Sequence, residues 1–350
     1  MTATGVLAED VELALGDPVI QWERFRGATV LVTGATGAIG GAVARVLSAA
    51  NATHQLGLTL ALHGRDLTKG RRLGAELSAR FLAGDVRALS PASCGLDRVD
   101  YVFHGAGVTA SARMVAEPEE VLATAVDGTR AALDLALALG ASGVVCASSM
   151  EVYGQGLTGA VTERDLGTLD PGDPRSSYPE AKRHAETLAA GYAAEHGLRT
   201  INARLALTFG AGIPNDPANT RVPLQFARSV LMGHDIELHT DGAGVTNVCY
   251  LGDAVRALLL LATDGAAGEA YNVANPQASM TIREMAEVVA RDVAQGAIRV
   301  IVRTPADIAS RGYAPPSFHR LATEKIAALG WQPRYGMADM YRRMLAFWRL

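Results

Sequence analysis

The chain has 350 residues, of which 49% are hydrophobic and 19% charged, a composition that can bury a large core and excludes a disordered protein. Its net charge of −4 at pH 7 and its lack of a basic block argue against nucleic acid as a partner. No run of about 18 uncharged apolar residues predicts a membrane span, and residues 1–27 lack the apolar run of a signal peptide. Cys94, Cys146 and Cys249 match no metal or disulfide spacing, so we expect a soluble, cytoplasmic protein without a metal site.

The first predicted strand, 29–32, leads into a glycine-rich turn and then into a helix over 39–50. Three glycines of the turn recur at every third position, a spacing typical of a tight turn that brings the backbone close to a pyrophosphate. The helix that follows offers free N–H groups to the phosphates. The alternative is a glycine-rich turn without a ligand. The predicted cofactor-binding residues of this turn are Gly34, Thr36, Gly37, Ala38, Ile39 and Gly40.

A second strand is predicted over 58–63, and Gly64, Arg65 and Asp66 follow it. In a dinucleotide-binding fold, an acidic residue at this strand end accepts the ribose 2′-hydroxyl of NAD, whereas an arginine suits the 2′-phosphate of NADP. Arg65 takes this place, so we expect an NAD(P) cofactor with a slight preference for NADP. The alternative is that these charges belong to the solvated start of a helix.

The third and fourth strands are predicted over 81–85 and 99–104. The end of the third strand is placed to meet the adenine, and small residues after the fourth would let a cofactor lie against the backbone. His104 is alternatively a strand-end histidine without a role in chemistry. The predicted cofactor contacts at these two strand ends are Asp85, Val86, His104, Ala106 and Gly107.

A helix over 117–139 and a fifth strand over 143–147 continue the alternation of strands and helices. This order predicts an α/β protein with a Rossmann-type doubly wound parallel sheet and a smaller C-terminal substrate-binding lobe. The expected divisions are a cover segment over 1–27, an NAD(P)-binding domain over 28–205 to which segments near 245–275 return, and a substrate-binding lobe mainly over 206–350.

Polar residues with catalytic potential follow the fifth strand. Ser149 stands at its end, and Tyr178 and Lys182 open a long helix that runs to about residue 196. Because Tyr178 and Lys182 are four residues apart, they share one helix face, where the ammonium group favours the phenolate form of the tyrosine. A strand-end serine can bind the same substrate oxygen.

These motifs together resemble the extended short-chain dehydrogenase/reductases, and within them the NAD(P)-dependent sugar-nucleotide epimerase/dehydratase family. The resemblance covers nearly the whole chain and rests on the glycine turn at 33–40, on Ser149 followed by the Val-Tyr-Gly of 152–154, and on the pair Tyr178 and Lys182. It implies that Tyr178 and Lys182 also contact the cofactor. It further implies a sugar or sugar-nucleotide substrate, and a homodimer that pairs through the Tyr178 helix and the helix over 117–139.

Three departures from the family pattern concern the substrate. Ala125, with Thr124 beside it, stands where the family often has an asparagine, and Leu207 replaces a polar substrate contact. Thr246 occupies, by spacing, the position of an arginine that grips the substrate diphosphate. Either the substrate is not an ordinary sugar nucleotide or another arginine takes over this contact. The candidates are Arg221, Arg311 and Arg320.

Glu151 bears on the reaction, because relatives that act as dehydratases or decarboxylases carry a glutamate before Val-Tyr-Gly. An aspartate precedes that glutamate in many dehydratases, and Met150 here cannot donate a proton, which disfavours 4,6-dehydration. We therefore expect a nucleotide-sugar epimerase that works through a transient keto intermediate. The alternatives are a Glu151-assisted decarboxylase or dehydratase, an NADP-dependent reductase of a non-nucleotide carbonyl compound, and a non-catalytic member of the fold.

Overall fold

The computed structural model of the protein describes residues 3–109, 111–304 and 316–349. The α-helices within these ranges are α1 Ala3–Leu15, α2 Ala38–Thr53, α3 Leu67–Leu77, α4 Pro91–Cys94, α5 Ser111–Ala116, α6 Pro118–Ala138, α7 Ser177–His196, α8 Val222–Met232, α9 Leu251–Asp264, α10 Ile282–Val288, α11 Glu324–Ala327 and α12 Met337–Trp348. The strands are β1 Thr29–Thr33, β2 Thr59–Gly64, β3 Arg80–Ala83, β4 Tyr101–His104, β5 Gly143–Ser149, β6 Thr158–Val161, β7 Thr200–Leu205, β8 Leu207–Phe209, β9 Ile236–Leu238, β10 Val245–Thr246, β11 Val248–Tyr250, β12 Ala270–Val273, β13 Met280–Thr281, β14 Val300–Val302 and β15 Phe318–Leu321.

A seven-stranded parallel sheet forms the centre of the molecule, in the order β12-β7-β5-β4-β1-β2-β3. The chain runs outwards from β1 to β3 and then outwards in the other direction from β4 to β12. The switch in direction therefore lies between β1 and β4, where ligands bind in open α/β sheets. The predicted Rossmann-type parallel sheet is confirmed.

Both faces of the sheet are covered, which explains why its strands are apolar throughout. In β1, Val30 and Val32 belong to one buried apolar cluster and Leu31 to a second one, as expected when successive side chains point to opposite faces. All three side chains are fully buried. This two-sided burial is typical of parallel sheets flanked by helices.

The predicted strand and helix limits differ from the observed ones mainly at chain turns. The third strand ends at Ala83, two residues before the predicted end, because the Asp85 side chain accepts a hydrogen bond from the backbone N–H of Arg87 and starts a 3-10 turn. The fifth strand continues through Ser149 instead of ending at residue 147. In the C-terminal part of the chain, α10 continues directly into a π-helical turn, Val289–Val293.

The C-terminal part of the chain contributes short two-stranded pairs beside the main sheet: β6 with β15, β8 with β11, β9 with β14, and β10 with β13. Within 245–275, β12 pairs with β7 in the main sheet. The 3-10 turn Met150–Tyr153 follows β5 and precedes β6 in the chain.

The first helix, α1, lies against α12 near the other end of the chain. The guanidinium group of Arg343 in α12 donates hydrogen bonds to the carboxylates of Glu9 and Asp10, at 2.9 and 2.8 Å. A second tie joins the buried Asp17 to Arg256 in α9. None of the helices in the described ranges combines the length and the apolar character needed to cross a membrane.

His104, at the end of β4, ties two strands to a helix. Its Nδ1 lies 2.9 Å from the hydroxyl of Thr33 in β1, and its Nε2 lies 3.2 Å from the hydroxyl of Thr129 in α6. The side chain is buried. Burial, assisted by the positive charge of Lys182, lowers the pKa of His104 to about 3, so the imidazole is neutral at physiological pH.

We expect His104 to make the protein sensitive to mild acid. In the unfolded chain the imidazole binds a proton below its ordinary pKa of about 6.5, whereas in the folded protein it stays neutral down to about 3. His104 therefore leaves the free energy of unfolding unchanged above pH 6.5 and lowers it as the pH falls below that value. His104→Gln should reduce the slope of unfolding free energy against pH by about 1.4 kcal/mol per unit within this window. Urea unfolding at a series of pH values measures it, and equal slopes for both proteins would contradict the prediction.

Candidate active site

One cleft of about 880 Å³ opens at the carboxyl ends of the central strands. It extends from the turn after β1, past the ends of β2 and β4, to the residues that follow β5 and β7. Such a cleft, at the switch point of a doubly wound sheet, is where ligands bind in this class of fold. The described residues contain no cluster of His, Cys, Asp and Glu side chains arranged to hold a metal ion.

The glycine-rich turn forms one wall of the cleft as a cradle, with no room for a side chain at two of its glycines. Gly34 has a φ of +67°, and a Cβ atom on it would lie 2.6 Å from the backbone oxygen of Gly105. A Cβ on Gly40 would lie 2.5 Å from the backbone oxygen of Gly34. Helix α2 begins immediately after Gly37, so its free N–H groups face the cleft. The cradle fits the pyrophosphate of a dinucleotide. All six residues predicted for it line the cleft: Gly34, Thr36, Gly37, Ala38, Ile39 and Gly40.

Charged side chains line the cleft at the ends of β2 and β3. Arg65 is largely exposed, and its guanidinium nitrogen lies 3.9 Å from a carboxylate oxygen of Glu120. Asp66 caps helix α3 by accepting a hydrogen bond from the backbone N–H of Lys69. Hydrogen bonds from Arg87 lower the pKa of Asp85 to about 2, so this carboxylate is ionised and already engaged.

The predicted contacts after β4 divide into two groups. Ala106 and Gly107 line the cleft, as does Val86 from the preceding turn. His104 does not line it, because its ring is turned between Thr33 and Thr129 beneath the cleft floor. His104 is therefore a strand-end histidine outside the cleft, which is the alternative that the sequence left open.

The predicted catalytic residues meet at the end of β5. Tyr178 and Lys182 lie on successive turns of α7, with the Lys182 ammonium nitrogen 5.8 Å from the centre of the Tyr178 ring. Lys182 also donates a hydrogen bond of 2.6 Å to the backbone oxygen of Ala147 in β5. The Ser149 hydroxyl accepts one from the backbone N–H of Glu151, at 3.2 Å. All four predicted catalytic side chains, those of Ser149, Glu151, Tyr178 and Lys182, line the cleft.

Glu151 stands in the 3-10 turn that follows Ser149, next to Met150. The surrounding protein raises the pKa of its carboxyl group above the ordinary value, and the positive charge of Arg221 opposes this shift. Arg221 lines the same cleft, and its side chain donates a hydrogen bond to the backbone oxygen of Thr109 at 3.0 Å. A carboxyl group with a raised pKa can donate and accept protons closer to neutral pH.

Only some of the residues that depart from the family pattern line the cleft. Leu207 and Thr124 line the cleft, whereas Thr246 is buried in the β10–β13 pair away from it. Of the three candidate arginines, Arg221 lines the cleft, Arg320 does not, and Arg311 lies outside the described residues.

Sequence reasoning missed the loop before α7 as part of the site. Leu169, Asp170, Asp173 and Arg175 all line the cleft. Asp173 caps a 3-10 turn by accepting a hydrogen bond from the backbone N–H of Arg175, which fixes the approach to Tyr178. The Asp-Pro pair at 173–174 signals such a turn, but it does not indicate which wall the turn would face.

Comparisons with known proteins identify the family of the chain. A family model described as "NAD dependent epimerase/dehydratase family" matches residues 30–274. UDP-glucuronic acid decarboxylase 6 of Arabidopsis thaliana is 32% identical over 242 residues, which cover 69% of this chain and 67% of that protein. A dTDP-glucose 4,6-dehydratase of Actinoplanes is 27% identical over 327 residues, covering 91% and 97%. The dTDP-glucose 4,6-dehydratase structure from Streptomyces venezuelae, with NAD bound, has a TM-score of 0.73 at 25% identity and covers 92% of this chain and 97% of its own.

The family match spans the glycine cradle, the strand-end serine and the tyrosine–lysine pair, and it includes strands β1 to β12 of the central sheet. The resemblance inferred from the sequence is thereby confirmed. The chain belongs to the NAD-dependent epimerase/dehydratase family, and it is an NAD(P)-dependent enzyme of the extended short-chain dehydrogenase/reductase type.

Proposed function

We propose that the protein converts a sugar nucleotide by oxidising one of its hydroxyl groups to a ketone and later reducing the ketone again. The observation that carries this proposal is that Ser149, Tyr178 and Lys182 line the same cleft as the glycine cradle. NAD(P), when bound, accepts and returns the hydride. The reaction as a whole then has no net redox change, in contrast to that of a simple carbonyl reductase.

The three side chains divide the work on the substrate oxygen. Tyr178 removes the hydroxyl proton and returns it, and Lys182 lies one helical turn away with its ammonium nitrogen 5.8 Å from the centre of the Tyr178 ring. Ser149 donates a hydrogen bond to the same oxygen and shares its developing negative charge. The 2.6 Å bond from Lys182 to Ala147 supports this assignment, because it holds the ammonium group at the end of the strand that carries Ser149.

We assign Arg221 to the anionic part of the substrate. The relatives act, by their names, on UDP-glucuronic acid and on dTDP-glucose, both of which carry a diphosphate. Thr246 is buried and cannot serve this group, while Arg221 presents a cation to the cleft beside Glu151. An arginine bound to a phosphate or carboxylate in two places gives both affinity and orientation.

Two outcomes of the keto intermediate remain as candidates. Epimerisation, the outcome expected first from the sequence, needs only reduction from the opposite face. The position of Glu151 favours the second candidate, in which the substrate loses carbon dioxide from the carbon next to the ketone, or loses water across the bond between that carbon and the following one. When carbon dioxide leaves, the electron pair of the broken bond forms an enolate, and the Glu151 carboxyl group, whose pKa is raised, can protonate the carbon that lost it. When water leaves, the Glu151 carboxylate can instead remove the hydrogen next to the ketone.

Tyr178→Phe tests the shared first step. We expect the turnover of UDP-glucose, UDP-glucuronic acid or dTDP-glucose to fall by about 10²- to 10⁴-fold, the usual contribution of a general acid–base group. NADPH and NADH binding should be retained, because the aromatic ring remains and only the hydroxyl group is lost. Product formation is followed by mass spectrometry, and turnover at the wild-type rate would refute the proposed mechanism. Net consumption of NADPH by the wild-type enzyme would instead identify a carbonyl reductase.

Glu151→Gln separates the two outcomes. We expect a product that has lost carbon dioxide or water, and a fall in its formation of about a hundredfold in the variant, because glutamine cannot transfer a proton. Exchange of hydrogen between substrate and cofactor, measured with deuterated substrate, should continue. A product of unchanged mass, formed equally fast by the variant, would assign epimerisation.

We further propose that the cofactor is NADP, although the dehydratase from Streptomyces venezuelae holds NAD. Arg65 follows directly after β2 and reaches the cleft with a side chain that is 55% exposed. The two neighbouring carboxylates already have partners: Asp66 accepts from the N–H of Lys69, and Asp85 accepts from Arg87. A cation is therefore better placed than a carboxylate to meet the adenosine ribose.

Arg65→Ala tests the cofactor preference. We expect the wild-type protein to bind NADPH at least about tenfold more tightly than NADH, because a charge-assisted hydrogen bond contributes about 1.5–3 kcal/mol. The variant should lose this preference, and Arg72→Ala, which changes an exposed arginine on the adjoining helix α3, should keep it. Cofactor fluorescence titration measures both, and tighter binding of NADH by the wild-type protein would refute the assignment.

A homodimer in the cytoplasm remains a prediction. Leu122 and Leu137 are exposed on α6, one of the two helices that the family resemblance assigns to a subunit contact. All three cysteines are free and buried, which supports a reducing compartment.

A further inference from the structure

Side chains on two successive turns of α7 are hydrogen-bonded to two successive residues of β5. Lys182 donates a hydrogen bond of 2.6 Å to the backbone oxygen of Ala147. One turn later, the carboxylate of Glu186 accepts a hydrogen bond of 2.5 Å from the hydroxyl of Ser148. Ser149 is the next residue of the strand. Helix and strand are therefore fixed against each other immediately before the residue that is proposed to bind the substrate oxygen.

Glu186 also joins β5 to its neighbour β7. Ser148 and Arg204 are direct partners in the parallel pairing of these strands. The guanidinium group of Arg204 donates hydrogen bonds of 3.0 and 2.7 Å to the two carboxylate oxygens of Glu186. The side chains of Arg204 and Glu186 are only 9% and 12% exposed. The Glu186 carboxylate thus contacts paired residues of two neighbouring strands, and it has little access to water.

Arg204 also contacts the residue that follows the segment from Ser149 to Val152. It donates a hydrogen bond of 3.1 Å to the hydroxyl of Tyr153, which in turn donates one of 2.6 Å to the side chain of Asn272 in β12. Tyr153 ends the 3-10 turn that contains Glu151. The segment from Ser149 to Glu151 is consequently held on both sides, at Ser148 before it and at Tyr153 after it.

We infer that Glu186 is a positioning residue that sets the placement of Ser149 and Glu151 relative to Tyr178 and Lys182. It is not among the residues that line the cleft, so it acts through Ser148 and Arg204 and not on the substrate. The inference rests on the roles proposed above for Ser149, Tyr178 and Lys182. Its physical basis is that a misplacement of about 1 Å in a catalytic group can lower a rate about a hundredfold.

The experiment compares four single variants with the wild-type enzyme and with Tyr178→Phe. Glu186→Gln keeps the shape of the side chain and removes its charge, and Ser148→Ala removes only the hydroxyl contact. Ser148→Thr restores a hydroxyl at the same place. Glu195→Gln is the matched control, an exposed glutamate on the same helix. For each protein, kcat and KM are measured with the best substrate, together with the NADPH dissociation constant and the melting temperature.

We expect kcat to fall by about tenfold or more in Glu186→Gln and in Ser148→Ala, while KM and the NADPH dissociation constant stay within about threefold. Ser148→Thr should recover most of the lost kcat, and Glu195→Gln should match the wild-type enzyme. An unchanged kcat in Ser148→Ala, or a Ser148→Thr variant as slow as the alanine variant, would overturn the inference. If Glu186→Gln does not fold, the two Ser148 variants decide alone. Tyr178→Phe distinguishes this failure from failure of the proposed function, because only the latter leaves Tyr178→Phe active.

Discussion

The cleft depends on a close approach of two backbone segments at the point where β1 and β4 diverge. Gly34 lies against the backbone of Gly105 so closely that a Cβ atom would be 2.6 Å from its oxygen, and the same crowding recurs between Gly40 and Gly34. This approach places the start of α2 directly over the sheet edge and exposes the backbone of Gly34 and Gly37 to the cleft. The pyrophosphate of a dinucleotide needs such exposed backbone, because its oxygens bind N–H groups and tolerate no intervening side chain.

Cations are spread along the cleft. Arg65 stands at the β2 end, Lys182 near the strand-end serine, and Arg221 at the far end beside α8. Each has a partner within the protein: Glu120, the backbone oxygen of Ala147 and the backbone oxygen of Thr109. Two of these three partners are neutral oxygens, which leave most of the positive charge available to an anionic ligand.

The sequence predicts which residues line the cleft well around the glycine turn and the Tyr178 helix, and poorly elsewhere. The glycine turn and the pair Tyr178 and Lys182 follow from local spacing, since one strand, one turn and one helix hold each set together. His104 shows the limit of this reasoning, because its strand-end position was correctly predicted but its direction depends on Thr129, in a helix 25 residues away. The positions of Thr246 and Arg221 depend on loops and small strand pairs that join still more distant parts of the chain, and no short motif predicts how these fold. The position of Asp173 and its loop is likewise not predicted by any short motif.

The tie between α1 and α12 has a consequence for the folding of the protein. Arg343 meets Glu9 across 334 positions of the chain, so this contact closes a very long loop. Until that loop closes, Glu9 and Asp10 lack the cation that α12 supplies. The pairing of β1 with β2 joins segments that lie much closer in sequence. The contact between α1 and α12 therefore carries the larger entropic cost of chain closure.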